Sequence, residues 1–195
     1  VAEPAEEDER GRRRTRSRPA GSGIALSSDM SLEGRHKAAA EGIARALAPE
    51  VLRKLGVPAG AENKQFAAQL RGMVVGRVLV PTRLFRAALR ECSADLAALQ
   101  RLFSTAGMEL IALRLLDFDE PCVISIVDDG VVSMRRGNRN AVGKKLEGAE
   151  QTCHDRVAEL ELPHRVRADG WTVWGWPVPR RAFRRIILRA VPDDV

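Results

Sequence analysis

The sequence predicts an α+β protein: a mainly helical first half of about six helices, then a small mixed α/β portion with β-hairpins. Three observations carry that expectation. Apolar residues recur at helical spacing from Ser31 to Phe118, and the pattern turns to β-branched runs after Pro121. Hydrophobic residues make up 45% of the 195-residue chain, enough to bury the core of one domain.

Between Ser31 and Leu55, Ile43, Leu47, Val51 and Leu55 recur every four residues, while Ala38, Ala39, Ala40, Ala44 and Ala46 add helix propensity. Pro49 is expected to split this stretch into two helices, the first ending near Ala48, because proline lacks the N–H an interior position donates. Gly56, Pro58 and Gly60 mark a loop. A third helix is expected over 62–80, with Phe66, Leu70, Met73, Val74, Arg77 and Val78 along one side. Pro81 suits the first helical position of the next segment, PTRLFRAALREC. Its inner face would carry Leu84, Phe85, Ala88, Leu89 and Cys92, and its outer face Arg83, Arg86 and Arg90. Ser93 is placed to cap ADLAALQRLF; STAG then turns the chain into MELIALRLLDF. These last two helices form a helix-turn-helix-like pair. CVISIVDD and VVSMRR read as strands joined by the hairpin turn Asp129-Gly130. A helix is expected over 146–160. WTVWGWPV and RRAFRRIILRAV read as two more strands, separated by Pro179 and a basic connection.

Residues 1–29 stand apart. VAEPAEEDER is acidic, GRRRTRSRP is basic, and too few apolar residues follow to offset the entropy of ordering, so a flexible charged tail is expected. A single domain is expected over 30–195, helical over 30–118 and strand–helix–strand over 119–195. The tail's charges balance, so the formal net charge of +6 belongs to the remainder. That surplus helps a nucleic-acid partner only modestly. The run RGRRRTRSR suits phosphate or a negative membrane surface, but a solvated tail, or an upstream start with Met30 as the true first residue, is the preferred expectation. Cys92, Cys122 and Cys153 are odd in number and form no CxxC pair, which argues against a disulfide scaffold or zinc ribbon and for a reducing cytoplasm. No apolar run reaches bilayer-spanning length, so no membrane partner is expected.

Val78-Leu79-Val80-Pro81, followed by Phe85, is similar to the "LLMP…F" segment of the ImmA/IrrE metallopeptidase-like family. Asp95-Leu96 to Phe103, Ser104 and the LIALRLL helix resemble the helix pair that follows in that family. Glu120-Pro121-Cys122 to Asp128, with Arg135-Arg136-Gly137-Asn138, resembles its strand pair, and Gly175-Trp176-Pro177-Val178 with Ile186-Ile187-Leu188-Arg189 resembles its tail. The resemblance spans 74–194. Active members carry His-Glu-x-x-His, whose imidazoles bind Zn²⁺ while the glutamate takes a proton from the metal-bound water. A third carboxylate ligand precedes the LLMP-like segment. Here the histidines are His36, His154 and His164, with no two at i, i+4. Ala40 falls where a partner to His36 would stand, and the third-ligand position lands near Ala68. The resemblance therefore implies a scaffold with no catalytic or metal-binding residues and no cofactor. Its expected role is that of a catalytically silent regulatory or binding module with a protein partner. Two alternatives stay open. One is a zinc metallo-endopeptidase drawing on His36, Glu41 or Glu62; the other is a helix-turn-helix DNA-binding regulator.

Candidate contacts to a partner or to nucleic acid are Arg83, Arg86, Arg90, Arg114, Trp174, Trp176, Arg181, Arg184 and Arg185. Thr105, Glu109 and Arg114 give the second helix of the pair few base readers, and such pairs commonly serve packing. Trp174 and Trp176 share one strand face and Trp171 takes the other; beside arginines, such tryptophans suit nucleic-acid platforms and protein hot spots, or simply a core. Cys153 and His154 diverge by about 100° on a helix, which suits a packed thiol beside an outward imidazole. Asp117, Asp119 and Glu120, like Asp128 and Asp129, lack EF-hand spacing and read as loop and turn.

Overall fold

The computed structural model describes residues 29–58, 60, 63–139, 141–179 and 182–193. The tail expected over 1–29 thus lies outside the described residues except for Asp29, as do Glu62 and Arg181. Among the described residues the order is α1 (Leu32–Lys54), α2 (Lys64–Leu79), α3 (Thr82–Cys92), α4 (Leu96–Leu102), α5 (Met108–Leu115), β1 (Val123–Asp128), β2 (Val131–Gly137), α6 (Gly148–Leu160), β3 (His164–Ala168), β4 (Trp171–Val178) and β5 (Arg185–Pro192). A helical first half followed by a sheet with one helix is the α+β class that the change of period announces.

Ser31 starts α1, its hydroxyl accepting from the Gly34 N–H at 3.1 Å. The helix continues through Pro49, so the expected break is absent, and among the described residues five helices precede the sheet. Pro49 and Arg45 are both exposed, so water can satisfy the Arg45 carbonyl that loses its partner. The buried stripe of α1 is Ala40, Ala44 and Ala48; Ile43, Leu47 and Leu55 face outward instead. These small side chains let α2 approach, and Val75 packs on Ala40 and Ala44. On α2, Val75 and Gly76 are buried while Phe66, Met73 and Val78 are exposed, so the side expected to carry the apolar residues faces largely outward.

Pro81 is the N-cap of α3 rather than its first helical residue. Ser93 adopts a left-handed conformation (φ 48°) and ends α3 rather than capping α4. Asp95 caps α4, its carboxylate accepting from the Ala98 N–H at 2.7 Å.

The sheet has the order β2-β1-β5-β4-β3, every neighbouring pair antiparallel. Asp129-Gly130 joins β1 to β2, and Asp169-Gly170 joins β3 to β4, with φ positive at all four residues as a type I′ turn requires. One sheet face packs Ile124, Ile126, Trp176 and Ile187 against Phe85, Leu96, Leu99 and Ile111 of α3–α5. The other packs Val173, Leu188 and Ala190 against Cys153 and Val157 of α6. Two apolar cores thus sandwich the sheet in three layers. No described helix is long and apolar enough to cross a membrane.

Candidate functional site

The candidate residues fall into four groups, and among the described residues one of them presents charge that no carboxylate answers. Arg114, on the second helix of the helix-turn-helix-like pair, is 4% exposed. It donates from Nε to the Val80 carbonyl at 3.3 Å and from Nη2 to the Thr82 hydroxyl at 2.8 Å, and it pairs with Asp117. Gly76 leaves room for its stem, since a Cβ there would lie 3.2 Å from the Arg114 Cδ. Burial, and then the nearby Arg77 charge, lowers the guanidinium pKa. Arg114 is a strut between α5 and the α2–α3 turn. The residues of α5 are all buried or half-buried, so this helix has no exposed face with which to enter a DNA groove.

Arg185 grips Asp128 with Nε and Nη2 at 2.6 and 2.8 Å and also pairs with Glu109, tying β5 to β1 and α5. Its pKa is raised first by the Asp128 hydrogen bond, against the pull of burial. Arg184 pairs with Glu161 at the surface, and its backbone N–H donates to Asp129 at 2.9 Å. Both charges are answered internally. Arg181 lies outside the described residues.

The tryptophans divide as strand alternation requires. Trp176, 2% exposed, belongs to the core beneath α3–α5, with Trp174 half-buried on the same face and Trp171 against α6. Trp174 is flanked by two register neighbours: the Arg165 guanidinium lies 5.0 Å from its ring and that of Arg189 4.9 Å. Arg189 is 4% exposed and holds Glu120 at 3.0 Å. Sequence reasoning missed Arg165 and Arg189. The signal was present: Arg189 shares parity with Ile187 and Val191, which face the core.

Arg83, Arg86 and Arg90 remain. All three are exposed on α3, and with Thr82 and Ala87 they line a surface groove of about 410 Å³. Phe85 and Ala88 anchor the opposite side of the helix in the core. No described carboxylate pairs with any of the three; Arg86 lies 5.8 Å from the Phe118 ring.

His36 lies on α1, His154 on α6 and His164 on β3. Among the described residues no group of three or more His, Cys, Asp or Glu could hold a metal ion. Cys153 is fully buried and turned to the His164 and Val173 carbonyls at 3.6 and 3.7 Å, while His154 meets Asp155 at 2.9 Å. The pair therefore diverges. Burial pushes the Cys153 thiol up to about 11, and likewise Cys122.

No protein-family model matches the sequence, and no curated protein matches it. A solved structure, a Mycobacterium tuberculosis transcriptional regulator, is similar in fold, with a TM-score of 0.68 at 18% identity. The match covers 86% of this chain and 58% of that one, so the chain spans well under two thirds of its neighbour's length.

Proposed function

We propose that this chain is a regulatory binding domain on an ImmA/IrrE-type peptidase scaffold whose zinc centre has been replaced by apolar packing. The observation that carries the reading is on α1. Ala40-Glu41-Gly42-Ile43-Ala44 has the length of a His-Glu-x-x-His motif and keeps its central glutamate, with alanine at both histidine positions. Ala40 and Ala44 lie one turn apart and buried, and Val75 of α2 packs against them. Ala68 of α2 is exposed and turned away from this contact. The scattering of the three histidines, and the regulator named among similar folds, support the same reading.

Zinc analysis of untagged protein, with melting temperature before and after chelation, tests it. The expected result is no stoichiometric metal and an unchanged melting temperature. About one zinc per chain, with melting lowered by chelator, would revive the peptidase alternative.

A further inference from the structure

We infer that the Arg83–Arg86–Arg90 face of α3 binds the phosphate backbone of nucleic acid. The inference deepens the binding-domain reading and rests on it for the claim that this chain acts by binding.

The three arginines lie at i, i+3 and i+7, within about 60° of arc and over about 10 Å of helix axis. That spacing suits neighbouring phosphates along one strand. The one acid on the helix, Glu91, is rotated about 100° from Arg90. The first turn of α3 has no acidic residue, although a helix N-terminus favours one, and Arg83 stands there instead. A cation at that end repels the dipole and costs helix stability, which a bound anion would relieve. The groove offers guanidinium groups and the methyl of Ala87, with no apolar pocket to anchor a peptide side chain. This face carries no Asn or Gln to read an adenine edge, and its arginines follow one another at a spacing that suits successive phosphates.

The test is fluorescence anisotropy of the full chain with an arbitrary-sequence duplex. Three phosphate contacts contribute a log–log salt slope of roughly −2.7, an affinity loss of roughly 40-fold between about 50 and 200 mM salt. The combined Arg83→Gln, Arg86→Gln and Arg90→Gln variant should lose that share of the slope. Its melting temperature should hold, because all three side chains are exposed. Arg→Lys at the same positions should retain the slope, and serves as the comparison if the glutamine variant folds poorly. Replacing Arg12, Arg13 and Arg14 with Gln should leave the α3-dependent share intact. Three results would overturn the inference: no duplex binding at about 50 mM salt, binding unchanged in the glutamine variant, or displacement of duplex by polyglutamate at lower concentration than by unlabelled duplex. A zinc-loaded chain that still bound duplex through α3 would sink the silent-scaffold reading alone.

Discussion

At the residue scale the chain spends its buried charge on struts. Glu150 accepts from the Ser125 hydroxyl at 2.7 Å and from Arg135 Nη2 at 2.7 Å, and both ionic side chains are 5% exposed. Three elements, β1, β2 and α6, meet in that network. Glu150→Ala leaves a buried guanidinium without its main partner and should cost about 3–5 kcal/mol by urea unfolding. Arg184→Ala, which breaks an exposed pair, should cost under about 1 kcal/mol; equal losses would refute the distinction. The thiols make a second prediction. Burial holds Cys122 and Cys153 near pKa 11 against an ordinary 9.0, so the folded state keeps protons that the unfolded state releases between those values. Their contribution is complete below about pH 9 and is lost as pH rises toward about 11. Denaturant midpoints should fall across that window, and less so in Cys153→Ala after allowing for its lower baseline. Arginine as a residue type was legible in the sequence, but its burial was not. Arg114 looks like a surface cation, yet it lies buried against the α2–α3 turn.

Individual elements were legible where periodicity and turn chemistry agreed. Asp129-Gly130 between β-branched runs placed β1 and β2, and the tryptophan alternation placed β4. The same Asp-Gly signal stands at 169–170, yet β3 went unrecognised because HRVRA alternates charge with small apolar residues and looks like a loop. The faces of α1 and α2 were inverted for a related reason. Large apolar residues usually mark the buried side, but here alanines make the contact and Ile43 and Leu47 are left outside. Close approach also governs α6. A Cβ at Gly175 would lie 2.7 Å from Val157, 2.9 Å from Leu188 and 3.0 Å from Cys153, all packed side chains at the α6–sheet contact. Gly175→Ala should therefore destabilise by about 1–3 kcal/mol despite adding a methyl to a strand, as measured by the shift in denaturant midpoint. An unchanged midpoint would mean that α6 can lift from the sheet without cost.

Across the whole molecule, stability should be graded from the sheet outward. β5 is hydrogen-bonded on both sides, by β1 and β4, and its side chains enter both apolar cores. α1 by contrast packs on α2 through a separate small cluster of Ala40, Ala44 and Val75, and its buried residues are all alanines. Alanine burial removes little apolar area, so the free energy of opening α1 is set by few contacts. Native-state hydrogen exchange should show α1 amides exchanging through an opening well below global unfolding, with β1 and β5 exchanging only through the global event. This ordering separates the α3 face from the α1–α2 contact. The α1–α2 contact, with its small alanine cluster, lies in the least stable layer. The α3 arginines instead rise from a helix rooted by Phe85 in the main core. Uniform protection of α1 and the strands would remove that contrast.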